Sequence, residues 1–177
     1  VKEYDTILAH DGHNEEAQIY KTQLLMENGE TEMALSSMRK FLKTNKRSAI
    51  SWYYLGRAEQ HQDNFPQAVY AYRKAMELQE GFTQAALSLG YLYELKEKHK
   101  RAKNIYLELY EETQSPSASN RLATIYLKEK QYRKAIPYLL ALKAQDPNNM
   151  NVRVKIGLVQ MELQQTDAAI KTFLTIL

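Results

Sequence analysis

Apolar positions recur along this chain in steps of three and four, and the steps restart at fixed intervals. Between Ala49 and Ala75 they fall at Ala49, Trp52, Leu55 and Gly56, then at Ala68, Tyr72 and Ala75. Steps of three and four line up one face of an α-helix. The pattern stops and restarts around Gln62-Asp63-Asn64. It therefore predicts two amphipathic helices of about 13 residues joined by a tight turn. Pro66 falls near the start of the second helix, where its missing N–H is not needed.

The same pair of helices recurs. Ala34, Ala68, Ala102, Ala135 and Ala169 are spaced 34, 34, 33 and 34 apart. Gly56, Gly90, Ala123 and Gly157 keep that step, each 12 residues ahead of an alanine. A fixed period of this size marks stacked supersecondary units. Short loops between short helices force antiparallel neighbours. Numbering a unit from Ala49, the small residues at positions 8 and 20 allow the two helices to approach closely. Larger groups fill the remaining volume: Trp52, Leu55 and Tyr72; then Leu89, Tyr106 and Leu109; then Leu122, Leu139 and Leu142; and Ile156, Phe173 and Ile176.

The order Trp52-Tyr53-Tyr54-Leu55-Gly56, followed by Ala68 through Tyr72 to Ala75, resembles the tetratricopeptide repeat (TPR). The resemblance covers nearly the whole chain, with units at about 15–48, 49–82, 83–115, 116–149 and 150–177. It implies an all-α fold of helix-turn-helix repeats stacked in a right-handed superhelical solenoid. The 34-residue step and its Ala and Gly marks separate the chain from pentatricopeptide and Sel1-like repeats. Residues 1–14 are expected to hold the remnant helix of a preceding repeat and a linker, with Tyr4 and Ile7 as its packing residues. Phe173, Ile176 and Leu177 fall in the second helix of the last unit. Both ends thus predict a fragment of a longer array. The first unit departs most from the pattern, with Lys21 and Thr22 in place of Leu and Gly; its register rests on Ala34 and Phe41. Pro147 fills a position that is often Pro in the family, where Lys46, Glu80 and Gln114 do not. Pro137 lies inside a predicted helix, and a local bend is expected there.

The resemblance also implies where partners bind. The first helix of each TPR unit lines a concave groove, with positions 2, 5, 6, 9, 12 and 13 facing in. This maps Tyr20 in the first unit, Tyr53, Tyr54 and Arg57 in the second, and Tyr91 and Glu94 in the third. Asn120, Arg121 and Thr124 follow in the fourth, and Lys155 in the fifth. Tyrosine combines contact area with a hydroxyl at low entropic cost, which suits recognition of a peptide or helix. Arg57, Arg121 and Lys155 favour a segment carrying acidic residues. The competing structural reading is that the tyrosines pack between adjacent units. Chaperone-tail receptors of this family grip a C-terminal carboxylate with a set of Lys, Asn and Arg across three units. The matching positions hold Ile19, Gln23, Tyr54, Gln84 and Ser88 in units one to three, and no window supplies the set.

The chain has 177 residues, a net charge of +3 and 44% hydrophobic residues, so a folded array with no demand for an acidic polymer is expected. Without cysteine there are no disulfides, thiolate metal sites or thiol nucleophiles. P-loop, dinucleotide and nucleophile-elbow motifs are absent from the sequence. We therefore expect no enzyme, no cofactor and no metal. His10-Asp11-Gly12-His13 lacks the spacing of a helical zinc site and reads as a solvated linker. Lys96-Glu97-Lys98-His99-Lys100-Arg101 with Lys103 reads as a solvated turn rather than a nucleic-acid surface. Arg39, Lys40, Lys43, Lys46 and Arg47 complement a helix dipole. No apolar run reaches the length of a membrane span, and the compartment is left unassigned. The expected function is a protein-interaction scaffold or adaptor, its partner another protein. Two alternatives are self-association through end helices and a non-catalytic targeting region of a larger enzyme.

Overall fold

The computed structural model describes residues 1–175. Among them are eleven helices and no strand: α1 Lys2–His10, α2 Glu15–Glu27, α3 Thr31–Thr44, α4 Ala49–His61, α5 Phe65–Leu78, α6 Thr83–Leu95, α7 His99–Thr113, α8 Pro116–Lys128, α9 Tyr132–Gln145, α10 Met150–Glu162 and α11 Thr166–Leu174. They form two compact units, Val1–Ala102 and Lys103–Leu177. In the first, α2 packs on α3, α3 on α4, α4 on α5 and α5 on α6. In the second, α8 packs on α9, α9 on α10 and α10 on α11. The all-α repeat fold expected from the periodicity is what the chain adopts. Ile176 and Leu177 lie outside the described residues.

Close approach within a helix pair rests on a ring laid over a glycine. A Cβ added to Gly56 would stand 2.7 Å from two ring carbons of Tyr72. A Cβ on Gly157 would stand 2.6 Å from the Phe173 ring. Such separations lie well inside van der Waals contact, so only a hydrogen is tolerated. Tyr72 is fully buried, and its hydroxyl donates to Gln60 Oε1 at 2.8 Å. Burial pushes that phenol well above its usual pKa, and the neighbouring Tyr53 adds to the rise. The alanines Ala34, Ala68, Ala102, Ala135 and Ala169 are all buried, as their spacing predicts. In the first pair Thr22 replaces the glycine. It is buried, and its hydroxyl donates to its own helix at the Gln18 carbonyl, 2.8 Å away.

The turn inside each pair is also invariant. Gly29, Asp63, Glu97, Lys130 and Gln164 all have φ between 55° and 79°. Each follows its helix at the same place, and the next N–H reaches back five residues. Those bonds are Glu30 to Leu25, Asn64 to Glu59, Lys98 to Tyr93, Gln131 to Tyr126 and Gln165 to Gln160, at 2.8–2.9 Å. This is the Schellman stop, which satisfies carbonyls left open at a helix end. Helix starts alternate. Asn14, Ser48, Ser115 and Asn149 cap α2, α4, α8 and α10 through their side chains, whereas α3, α5, α9 and α11 have no side-chain cap.

Some local expectations shift. Ile7 is exposed, and Leu8 packs on the α3–α4 core in its place; Tyr4 stacks on Tyr20. α9 continues through Pro137, whose side chain is exposed. The missing N–H leaves the Arg133 carbonyl without its helical donor, on a residue that is itself exposed to water. The linker is tied down rather than free: His13 Nδ1 lies 2.9 Å from Asn45 Oδ1. In the basic stretch after α6, Lys98 covers the Phe65 ring and Arg101 the Tyr93 ring, while Lys103 pairs with Glu129 at 2.8 Å. No group of metal-ligating side chains occurs among the described residues, and no described helix is long and apolar enough to cross a membrane.

Gly56→Ala is expected to lower stability by about 1–2 kcal/mol, although alanine is the better helix former by about 1 kcal/mol. In urea unfolding, the double variant Gly56→Ala/Tyr72→Leu should cost less than the sum of the single changes, because the smaller side chain frees the space. Lys130→Gly relieves a side chain held at φ 55° and is expected to raise stability by about 0.5–1 kcal/mol in the same assay.

Candidate partner-binding faces

The first helices α2, α4 and α6 lie side by side in the first unit, α2 against α4 and α4 against α6. The period of 3.6 residues sends Tyr54 and Arg57 to one side of α4 and Trp52, Leu55 and Glu59 to the other. On the Tyr54 side, the phenol oxygen accepts a hydrogen bond from Gln23 Nε2 of α2 at 2.9 Å. The Arg57 guanidinium lies 5.5 Å from the centre of the same ring. Tyr54 is thus held from both sides, while Arg57 stays exposed. Tyr20 is 47% exposed, and its ring stacks on Tyr4 with centroids 6.0 Å apart.

Tyr20, Gln23 and Tyr54 border a concavity of about 450 Å³, whose lining also includes Glu15, Glu16, Ile19 and Ile50. Glu15 is engaged: its Oε1 accepts from the Ser48 hydroxyl and from Ser51 Oγ at 3.1 Å. Glu16 is exposed. The face therefore carries negative charge at Glu16 and positive charge at Arg57. Glu16 and Ile50 both occupy position 2 of their units, a groove-facing position of the resemblance, so the pattern itself contained the signal for them.

The remaining expected residues divide. Tyr53 turns into the packing: its ring lies 5.2 Å from Tyr54, 5.5 Å from Phe82 and 6.0 Å from Tyr72. Phe82 stands where the other first helices carry Asn or Ser caps, and it is buried against this cluster. On α6, Tyr91 is exposed and Glu94 half-buried. In the second unit, Asn120 and Arg121 are exposed on α8, and Thr124 donates to the Asn120 carbonyl at 2.8 Å. Lys155 is half-buried on α10. The structure thus gathers Tyr20, Gln23, Tyr54 and Arg57 into one group, and gives Tyr53 a packing role.

The chain is similar to several known proteins. It is 26% identical over 147 residues to anaphase-promoting complex subunit 3 of Schizosaccharomyces pombe, across 82% of this chain and 22% of that protein. The chain therefore spans about a fifth of that relative's length. Among solved structures it is similar to YrrB, described as a TPR protein with an unusual peptide-binding site, with a TM-score of 0.66, 18% identity, and 96% of this chain and 88% of that one covered. Pseudomonas aeruginosa pilF gives a TM-score of 0.68 at 20% identity, covering 94% of this chain and 77% of that one. At these identities the structures share the fold. The tetratricopeptide repeat family model matches residues 9–171, and the chain belongs to that family.

Proposed function

We propose that this chain is a scaffold that binds a segment of a partner protein, and that the α2–α4 face of the first unit is the principal contact. Repeats of this family typically mediate protein–protein interactions and are generally non-catalytic. The observation that carries the reading is the Tyr20–Gln23–Tyr54–Arg57 group. Within it Tyr54 is already held by Gln23 and Arg57, which lowers the entropic cost of engaging it. Exposed Tyr20 and half-buried Tyr54, beside a shallow concavity, offer the apolar body and polar tip that anchor peptide complexes. The segment would place apolar or aromatic side chains over Tyr20 and Ile19, and an acidic residue toward Arg57. Tyr91 and Glu94 extend this face along α6. Asn120, Arg121, Thr124 and Lys155 form a basic and polar face of the second unit, proposed to take acidic stretches of a partner.

A second reading, self-association, is favoured by exposed apolar side chains on α10 and α11, where Leu158, Met161, Ile170 and Leu174 are each more than half exposed. Light scattering over a concentration series separates the two: a mass that rises with concentration supports self-association.

The test of the scaffold reading is capture of partners by wild-type protein beside a Tyr20→Ala/Tyr54→Ala variant of unchanged helicity. Partner affinity is expected to fall at least about tenfold in the variant; equal capture by both removes the α2–α4 face from the proposal. Unfolding curves divide packing from binding residues. Tyr53→Ala should cost about 2–4 kcal/mol, because three rings lose a neighbour. Tyr20→Ala should cost about 1 kcal/mol or less, because nearly half of its surface is already in water.

A further inference from the structure

The opposite side of α4 carries a second surface, independent of the one just described. α3 and α5 both pack on α4, and a groove runs between them with half-buried Trp52 and the buried Leu55 and Glu59 of α4 at its base. The opening consists of two concavities of about 400 and 460 Å³ that share Arg39, Trp52 and Leu55, and so form one continuous groove. Its apolar lining is Trp52, Leu55 and Leu42, with Tyr70 and Leu78 on the α5 wall. Tyr70 is 55% exposed, and its ring meets Trp52 edge-on at 5.7 Å. The indole N–H is already satisfied by the Lys46 carbonyl at 2.9 Å, so Trp52 presents only apolar ring to the groove.

The charges around this groove are one-sided. Four cations line it, Arg39, Lys43, Lys46 and Lys74, against two carboxylates, Glu59 and Glu77, leaving 4 − 2 = +2. Both carboxylates are neutralised locally. Glu59 is buried and accepts from Arg39 at 2.7 Å and from Asn64 at 3.0 Å. Glu77 pairs with Lys74 at 2.6 Å. Lys43 and Lys46 are exposed and form no ion pair among the described residues. Arg39, Lys43 and Lys46 of the basic run that complements the α3 dipole thus also form the charged wall of an aromatic groove.

We propose that this groove docks an acidic amphipathic helix of a partner protein. Its apolar side chains would seat over Trp52, Tyr70 and Leu78, and its carboxylates would meet Lys43 and Lys46. Two flanking helices over an apolar floor are the setting in which a third helix buries one face. The uncompensated cations select the sign of its charge.

Trp52 is the single tryptophan of the chain, so its emission reports occupancy of the groove directly. The probe is a synthetic peptide of about 16 residues, with Leu and Phe at helical spacing on one face and Glu on the other. Its controls are a Lys-for-Glu counterpart and a peptide of the same composition with the apolar spacing scrambled. The expected result is a saturable shift of Trp52 emission with the acidic peptide alone, weakening as salt is added. Lys43→Glu/Lys46→Glu, at two exposed sites, should reduce the affinity at least tenfold, and Tyr70→Ala should reduce it independently. The Tyr20→Ala/Tyr54→Ala variant should bind the peptide unchanged, which keeps this inference separate from the α2–α4 reading. The inference is overturned by an absent emission shift, by an equal response to either control, by unchanged affinity in the charge-reversed protein, or by loss of binding in the Tyr20/Tyr54 variant.

Discussion

The contact on which the repeat geometry depends is an aromatic ring resting directly on a glycine of the facing helix. Gly56 beneath Tyr72 and Gly157 beneath Phe173 leave no room for a single methyl group. The chain keeps this relation in its spelling. Where the ring position is aliphatic, as at Met38 and Leu139, the facing residue is Thr22 or Ala123 rather than glycine. Volume is conserved across the pair: a flat, wide ring needs the backbone itself as its floor, and a slimmer side chain leaves space for a Cβ. That contact sets the distance between the helices of a pair. It therefore fixes which faces of α4 are left for other uses.

The helix ends show a second constraint, with two different solutions in alternation. Inside each pair the chain must reverse within three residues, and a left-handed residue at one fixed place does this. Asp63, Glu97, Lys130 and Gln164 accept that conformation although only Gly29 is suited to it. The bond closed by the following N–H offsets part of the strain. Between pairs the chain instead starts a helix with Asn or Ser. Phe82 is the exception, and there the cap is exchanged for burial against Tyr53.

α4 is the most heavily used element of the first unit. One side holds the Tyr54–Arg57 pair beside the α2 concavity, and the other forms the floor of the α3–α5 groove. Both surfaces follow from a helix that is apolar or aromatic around most of its circumference, packed between second helices that cover only part of it. Glu59 shows the cost of that position. It is buried, and its two carboxylate oxygens are met by Arg39 and by Asn64.

The sequence by itself determined the helices, their pairing and the small residues at their contacts, because 3.6-residue periodicity and a 34-residue step are local properties of the chain. Periodicity placed the close approach at the small residues, such as Gly56 and Ala68; that the Tyr72 ring lies directly over Gly56 came from the structure. The alternation of caps at Asn14, Ser48, Ser115 and Asn149 was present in the sequence too, at the same step. Tertiary structure decided the rest. It separated Tyr53 from Tyr54, adjacent residues of equal chemistry, by turning one into a cluster of three rings and the other toward Gln23 and Arg57. It brought Leu8 rather than Ile7 onto the core. It also placed Arg39, Lys43 and Lys46, read from the sequence only as cations that complement a helix dipole, along the wall of a groove. In each case the deciding quantity is which neighbour a side chain meets across the space between helices, and periodicity alone does not carry that information.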